Sequence, residues 1–246
     1  MLGRKFPHGG RCFEVAAAVI LLFLCIQARA QEQKLQHRPY VDTRKFHYGF
    51  LIGIHQESLR LENNGYIDPE TGDQWFASNN RFDLGLTVGI LGEWRLSTYF
   101  ALRMSPTLHF ANKHVTYRNQ TTSEHETQEI KSTYVSLPID VKFSAPRWNN
   151  HRPYLLAGVN FAYDLNGGKD TGNLRLKRYR AYIELGFGCD FYLPFFKLIP
   201  ELKFCLGLND VLQTDRPELS GQSNEIFTKS VDKATNNLIV LTLNFE

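Results

Sequence analysis

The sequence predicts an all-β fold: an eight-stranded antiparallel transmembrane β-barrel with short periplasmic turns and four long external loops. Three observations lead to this prediction. Eight segments alternate apolar and polar residues with a period of two. The connections between them alternate long and short, and no glycine lies mid-strand on the apolar face. Together they indicate a barrel whose apolar face meets lipid and whose small and polar face lines a narrow lumen.

The first thirty residues have the pattern of a secretory signal. Arg4, Lys5 and Arg11 precede an apolar run at 15–26, which is too short for a spanning helix. Ala-Arg-Ala at 28–30 then fits a cleavage site. A lipid-modified cysteine would be the alternative, but the residue before Cys25 is a large leucine.

We therefore expect cleavage between Ala30 and Gln31. The expected organisation is a signal peptide at 1–30, a periplasmic lead-in at 31–46 and the barrel at 47–246. Four of the 28 basic residues and one of the 25 acidic residues lie in the signal, which leaves 24 of each and no net charge. This balance gives no reason to expect a nucleic-acid partner.

The eight strands are predicted from runs in which every second residue is apolar. In chain order they are 47–56, 82–92, 99–110, 132–143, 154–163, 179–193, 196–208 and 237–246. The long polar connections are 57–80, 111–131, 164–178 and 209–236, and the short ones are 93–98, 144–153 and 194–195. An even strand number places both termini on the periplasmic side.

Glycine placement favours the inside-out arrangement over a soluble barrel. The glycines on the polar strand faces are Gly49, Gly53, Gly85, Gly89, Gly158, Gly186, Gly188 and Gly207. An eight-stranded lumen has room only for side chains, so small residues there make space for larger polar ones. On the water-facing side of a lipocalin-like barrel, glycine would only weaken the strands.

The polar face also carries charges of both signs. They are Asp83, Arg103, Asp140, Lys142, Arg180, Glu184, Asp190, Lys197, Glu201 and Lys203. We expect those in the lumen to form compensating pairs, because an unpaired buried charge is costly. A conducting pore is not expected, since porins with aqueous channels have about twice as many strands.

Prolines and cysteines provide checks on the strand register. Pro106, Pro138 and Pro200 fall inside predicted strands, so bulges or strand ends are expected there. Parity places Cys189 toward lipid and Cys205 toward the lumen. The two side chains point apart, so two free thiols are expected.

No catalytic, cofactor-binding or metal-binding residue is assigned from the sequence, and a non-enzymatic protein is expected. Gly-x-Ser-x-Gly, His-Glu-x-x-His, the P-loop and Cys-x-x-Cys motifs are all absent. His109, His114 and His125 lie in or near the second long connection with nearby glutamates. A metal site or a base–carboxylate pair there is the less favoured reading, because a solvated polar loop has the same composition.

The first long connection contains four large apolar or aromatic residues among polar ones: Tyr66, Ile67, Trp75 and Phe76. They are candidates for a partner-contact loop, because exposed aromatic residues often mark such surfaces. They could equally fold the loop onto the barrel rim.

Four stretches carry a resemblance to a known family. They are Val-Ser-Leu-Pro-Ile-Asp-Val-Lys-Phe at 135–143, Arg-Pro-Tyr-Leu-Leu-Ala-Gly-Val-Asn-Phe-Ala-Tyr-Asp-Leu at 152–165, Gly-Phe-Gly-Cys-Asp-Phe at 186–191 and Pro-Glu-Leu-Lys-Phe-Cys-Leu-Gly-Leu-Asn-Asp-Val-Leu at 200–212. The chain resembles the outer-membrane β-barrel family common in Bacteroidetes, and within it a component of the type IX secretion system. That resemblance implies a place in the cell outer membrane. It also implies a role in exporting proteins, including gingipain proteases, by way of their C-terminal sorting domains.

The partners expected on this basis are outer-membrane lipid and other secretion-system proteins, without nucleic acid or a small-molecule substrate. Two alternatives remain open. One is an outer-membrane enzyme with a site at the external rim, for which His109 is the weak candidate. The other is a general structural or adhesion barrel.

Overall fold

The computed structural model describes residues 37–67, 69, 72–79, 83–120, 125–166, 174–213 and 225–246. The predicted signal peptide and the cleavage site at Ala30 and Gln31 lie outside these residues. The strands are β1 (Phe46–Asn63), β2 (Trp75–Ser78), β3 (Leu84–Arg95), β4 (Phe100–Met104), β5 (Thr107–Asn119), β6 (His125–Ser144), β7 (His151–Asp164), β8 (Tyr179–Tyr192), β9 (Lys197–Gly207) and β10 (Val231–Phe245).

Eight strand positions close into an antiparallel ring. β1 pairs with β10 on one side and with β3 on the other. β4 and β5 follow one another along a single position between β3 and β6, and the remaining strands pair in chain order. β2 pairs with the outer part of β5, and its Ala77 backbone exchanges hydrogen bonds with the Asn63 side chain of β1. The predicted eight-stranded antiparallel barrel is confirmed.

Helical structure in the described residues is limited to two short pieces, a 3-10 turn at Val41–Thr43 and helix α1 at Glu225–Lys229. Neither has the length and apolar character that a membrane-spanning helix requires.

The ring has its apolar residues outside and its polar residues inside. Phe50 and Leu86 are 58% and 60% exposed on the outer wall, whereas Arg103 and Asp140 are completely buried in the lumen. Aromatic pairs flank the outer apolar belt, with Phe50 against Phe245 near one edge and Tyr163 against Tyr179 near the other, both at 5.0 Å between ring centroids. This is the arrangement of a barrel that meets lipid.

The strands extend farther than the sequence predicted. The second long connection, predicted at 111–131, is wrong: β5 runs to Asn119 and β6 begins at His125, so most of it is a paired hairpin. β1 likewise continues to Asn63, and β10 begins at Val231. In these extensions the outward residues are polar, so the segments look like loops in the sequence.

Two of the predicted register features behave as expected. Pro106 lies in the break between β4 and β5. Cys189 is half-buried and Cys205 is buried, and both are free thiols, as the parity argument predicted.

Pro138 and Pro200 lie inside β6 and β9, so the expectation of bulges or strand ends is wrong for these strands themselves. The irregularity is in the neighbouring strand. The Pro138 carbonyl accepts a bond from Ser105 N at 3.3 Å, beside the β4–β5 break. Pro200 lies opposite a gap in the β8–β9 ladder. The missing donors therefore face places where regular pairing is interrupted.

At the inward-facing glycines, neighbouring backbone and side-chain atoms occupy the space that a Cβ atom would need. A Cβ atom added to Gly158 would lie 2.2 Å from the Ile139 carbonyl oxygen and 2.3 Å from Asp140 Oδ1. At Gly85 it would lie 2.4 Å from the ring of His55. These contacts give a physical reason for the glycine pattern in the sequence.

Candidate functional site

The part of the lumen near the short turns holds ion pairs centred on Arg103. Its guanidinium donates to Glu93 Oε2 from Nη2 at 2.7 Å and from Nε at 3.0 Å, and it also pairs with Glu201. Lys142 Nζ lies 3.0 Å from Asp190 Oδ2 and 3.3 Å from Glu93 Oε2. All five side chains are buried. Each charge therefore faces a compensating charge, as predicted.

An aromatic side chain stabilises the cations of this group. The Tyr154 hydroxyl donates to Glu201, and the Tyr154 ring lies 4.2 Å from Lys142 Nζ and 5.1 Å from Arg103 Cζ. The ring thus adds cation–π contacts to the ion pairs.

Further pairs continue toward the other end. Lys203 Nζ lies 2.7 Å from Asp140 Oδ2 and 3.2 Å from Glu184 Oε2. Arg180 pairs with Asp164, and Glu57 pairs with Lys113. All of these side chains are buried.

Asp83 is the exception among the predicted lumen charges. It is partly exposed and accepts a bond from His114 Nδ1 at 2.9 Å and from His114 N at 3.1 Å. It therefore lies just before β3, at the edge of the lumen, and is paired with a histidine there.

His109, the candidate for an enzymatic site at the rim, lies inside the lumen and is 3% exposed. Its Nδ1 is 2.9 Å from Thr87 Oγ1, and its Nε2 is 2.9 Å from Ser136 Oγ and 3.0 Å from Thr107 Oγ1. Both ring nitrogens are therefore within hydrogen-bond distance of hydroxyl groups, and Ser136 is itself 1% exposed. The Ser136–His109 pair is therefore inaccessible to a substrate, and it lies in the lumen and not at the rim.

The other predicted histidines do not join His109. His114 pairs with Asp83, and His125 begins β6 at the far end of the hairpin. In the described part of the chain, no three histidine, cysteine or acidic side chains lie close enough to hold a metal ion.

The lead-in segment closes the barrel end that carries the short turns. Arg147 donates to Asp42 Oδ2 at 3.2 Å, and its guanidinium stacks 3.5 Å from the centroid of the Tyr192 ring. The Tyr192 hydroxyl donates to Asp42 Oδ1 at 2.6 Å. Val41, which belongs to this segment, is buried. Residues 37–46 of the predicted lead-in are thus packed against the barrel end.

Glu246, which follows β10, binds residues at this closed end of the barrel. Its carboxylate lies 2.5 Å from His47 Nδ1 and 2.6 Å from Lys197 Nζ, and its carbonyl accepts a bond from Arg38 Nη1 at 3.1 Å. Burial alone would raise the pKa of Glu246, but the bonds to His47 and Lys197 lower it to about 2. The carboxylate therefore holds the end of β10 as a charged group at neutral pH.

The opposite end of the lumen is closed by an apolar core. Trp75 and Tyr117 pack on Phe227 of α1 at ring-centroid distances of 4.9 and 4.8 Å. The other buried members come from the strand extensions and the connections: Leu59, Ala77, Val115, Ile130, Leu174, Leu176, Val211, Leu212, Ile226, Val231 and Ala234. We call this group the cap core. The barrel is filled by side chains at both ends.

The four residues of the candidate partner-contact loop are divided between two environments. Trp75 is buried in the cap core, and Tyr66 packs partly against it. Phe76 is half-buried, and Ile67 is 57% exposed. Trp75 and Tyr66 therefore contribute to folding the loop, which leaves Ile67 and Phe76 on its accessible side.

Sequence reasoning missed both closures. Asp42, Arg147 and Tyr192 are distant in the chain, and none belongs to a recognisable motif. The cap core had a weak signal, because Val115 and Tyr117 alternate with polar residues as a strand facing a core would.

Comparisons with known proteins place the chain in a family. No curated protein matches it. Among solved structures it is similar to the outer membrane protein OprG from Pseudomonas aeruginosa, with 11% identity, coverage of 81% of this chain and 92% of that chain, and a TM-score of 0.46. It is also similar to Neisserial surface protein A, with 12% identity, coverage of 82% of this chain and 96% of that chain, and a TM-score of 0.41. A third similar structure is that of Ail, the attachment invasion locus protein of Yersinia pestis, in complex with the heparin analogue sucrose octasulfate. Its identity is 11%, the match covers 82% of this chain and 99% of that chain, and the TM-score is 0.35.

A family model described as outer membrane protein beta-barrel domain matches residues 29–213, which is most of the chain. The chain therefore belongs to the outer membrane protein β-barrel family.

Proposed function

We propose that this chain is a non-enzymatic component of the type IX secretion system, similar to PorT of Porphyromonas, and is needed for the export of proteins such as gingipain proteases. Family membership supports a place in the outer membrane. The finer assignment rests on the resemblance carried by the stretches at 135–143, 152–165, 186–191 and 200–212.

The filled lumen is the observation that best supports an accessory role over that of an export channel. Buried ion pairs around Arg103 and Lys203 occupy the interior, and the lead-in and the cap core close the two ends. An exported polypeptide cannot share this space. The chain would therefore act as an accessory protein through its outer wall and its two ends, and another protein would supply the export channel.

The external loop is our proposed contact surface. Ile67 is exposed, and Phe76 lies on the accessible side of β2, while Trp75 anchors the same strand in the cap core. Because the anchor is buried, the loop presents apolar groups from a fixed support, which suits recognition of another protein.

The test is deletion of the protein, followed by measurement of where the secreted proteases accumulate. We expect retention in the periplasm that is reversed by the wild-type chain. Normal export after deletion would overturn the proposed function, and loss of attachment with intact export would point to the adhesion barrel.

Complementation with variants then tests the contact surface. Ile67→Ser combined with Phe76→Ser should complement poorly while the barrel still folds. The matched control is Arg60→Ser with Lys131→Ser, which changes two exposed side chains of the strand extensions that do not pair with β2. Equal complementation by both pairs would exclude the loop as the contact.

A further inference from the structure

Two cations lie side by side where β1 begins, at the barrel end that carries the short turns. Arg44 and Lys45 precede β1 directly, and both side chains are exposed. Within the described part of the chain, neither side chain forms an ion pair with an acidic group. We call these two residues the basic pair. Two adjacent cations without acidic partners attract anionic groups.

The acidic groups at this end of the barrel are already bound by other cations. Asp42 pairs with Arg147 at 3.2 Å and with Arg152 at 3.6 Å. Glu246 is held by a histidine and a lysine, as described above. Residues 31–36, which lie outside the described part, contain one glutamate and one lysine and therefore add no net charge. The charge of the basic pair thus remains available to a ligand.

Three contacts fix the backbone of the basic pair. Arg44 N donates to Val41 O at 3.2 Å, and Arg44 O lies 3.2 Å from His47 Nε2. Lys45 O accepts a hydrogen bond from Arg95 N of β3 at 2.8 Å. The backbone that carries the two cations is therefore ordered before a ligand binds, which lowers the entropic cost of binding.

An aromatic pair lies next to the basic pair on the outer wall. Phe46 follows Lys45 directly and lies opposite Trp94 of β3, and the two rings stack at 6.0 Å between centroids. Phe46 is 66% exposed and Trp94 is 48% exposed. Aromatic rings at the edge of an outer apolar belt mark the boundary between hydrocarbon and headgroups. The basic pair therefore lies at headgroup depth.

A notch in the outer wall lies on the hydrocarbon side of this aromatic pair. Gly92 faces outward two residues before Trp94, and the nearest atom to an added Cβ would be 3.8 Å away. Its cross-strand neighbours are Tyr48 of β1 and Met104 of β4, which are 81% and 42% exposed. The missing side chain thus leaves a depression between larger side chains, which an acyl chain can enter.

We propose that the basic pair, the Phe46–Trp94 pair and the Gly92 notch bind an anionic phospholipid of the leaflet that meets the short turns. The Arg44 guanidinium and the Lys45 ammonium bind the phosphate oxygens, because both groups form charge-assisted hydrogen bonds with phosphate. One acyl chain passes the aromatic rings and lies in the Gly92 notch. The alignment of charge, rings and notch along one wall favours a lipid over an acidic protein segment. This site does not depend on the proposed secretion role.

The opposite side of the same barrel end provides an internal comparison. His151 of β7 packs against Phe191 of β8 at 5.8 Å between ring centroids, so aromatic rings are present there too. The nearby cations Arg147 and Arg152 pair with Asp42. We therefore expect ordinary annular lipid at that side, without headgroup selection.

The test uses the full chain, purified in detergent and examined by native mass spectrometry. The probes are phosphatidylglycerol and phosphatidylethanolamine with identical acyl chains, so that only the headgroup differs. Arg44→Gln and Lys45→Gln are combined in one variant. The matched control combines Arg60→Gln with Lys131→Gln, which are also one arginine and one lysine and are exposed on the strand extensions.

We expect the wild type to bind phosphatidylglycerol about tenfold more tightly than phosphatidylethanolamine, because each cation near the membrane surface strengthens the binding of anionic lipid. The basic-pair variant should lose this preference, and the control should keep it. High salt should weaken the preference, since the two cations are exposed. Equal binding of the two lipids by the wild type, or an unchanged preference in the basic-pair variant, would overturn the proposal.

Gly92→Leu tests the acyl-chain part of the site. The new side chain points outward into open space, so it fills the notch while the barrel and the basic pair are kept. We expect the binding of phosphatidylglycerol to fall. Unchanged binding would contradict a lipid whose chain lies in the notch. Heat-modifiable migration on gels verifies that each variant is folded.

A soluble poly-glutamate peptide separates a lipid from an acidic protein segment. The peptide supplies carboxylates without acyl chains, so it should not displace phosphatidylglycerol from the wild type. Displacement at an equal concentration of negative charge would assign the basic pair to an acidic protein partner and would overturn the lipid site.

Discussion

At the scale of single residues, the lumen shows how charge can be buried without a large penalty. Arg103 is fully buried, yet it contacts Glu93 and Glu201 and lies beside the Tyr154 ring. Desolvation of one ion is offset only because several opposite charges and dipoles are already fixed around it. The group therefore behaves as a unit, and removing one member leaves its partners exposed to the full desolvation penalty.

Arg103→Met should lower the free energy of unfolding by about 3–5 kcal/mol, because Glu93 and Glu201 are left buried without this cation. The measurement is urea unfolding in lipid vesicles, followed by tryptophan fluorescence. Adding Glu201→Gln to the variant should recover part of the loss. Arg118→Met, at an exposed site, should change stability by less than about 0.5 kcal/mol. Equal losses at the two arginines would contradict the buried network.

At the scale of the strands, the polarity of the two strand faces reverses near the external end of the barrel. Outward-facing residues change from apolar to polar there, and inward-facing residues change from polar to apolar. On β1 the outward Ile54 is followed by outward Gln56 and Ser58, while the inward residues change from His55 to Leu59. β5 changes in the same way, from outward Phe110 to Asn112 and from inward His109 to Val115. Each strand therefore passes from a lipid-facing environment to one like that of a soluble barrel.

Close strand packing also depends on single glycines. Gly158→Ala places a methyl group against the Ile139 backbone, which cannot move without disturbing the β6–β7 ladder. We expect a loss of about 1–3 kcal/mol in unfolding free energy. Gly92→Ala is the control, because the nearest atom to its added Cβ lies at 3.8 Å. Equilibrium unfolding of both variants tests this difference, and equal stability would show that β7 tolerates the shift.

At the scale of the whole molecule, the barrel formed by the described residues is closed and has three surfaces available for contact. The lumen is filled, the lead-in covers one end through Asp42 and Arg147, and the cap core covers the other. The outer wall and the two ends remain. The proposed contact with a secretion partner at the external loop uses one of these surfaces and leaves the interior unchanged.

A filled lumen should not conduct ions. After reconstitution into planar bilayers, we expect no steady unit conductance at neutral pH, since the described interior charges are paired and an eight-stranded lumen has room only for side chains. A general porin reconstituted in parallel is the positive control. Reproducible single-channel steps from the folded protein would show that at least one of the closures opens.

The sequence predicted the ring closely where the membrane imposes a strict alternation. The parity of Cys189 and Cys205 and the inward position of Gly158 both followed from period-two patterning. The hairpin at 111–131 was missed because its outward residues, such as Asn112, face water and look like those of a loop. His109 was assigned to the rim for the same reason, since the extension of β5 places the rim farther along the chain.

The sequence by itself determined the strand number, the faces of each strand and the inside-out polarity, because lipid accepts no polar side chains on the outer wall and this requirement is local in the chain. The tertiary structure alone decided which charges pair, how Asp42, Arg147 and Tyr192 close one end, and how Trp75 meets Phe227 at the other. These contacts join residues from distant strands, so they depend on ring closure and register. No local pattern in the chain records them.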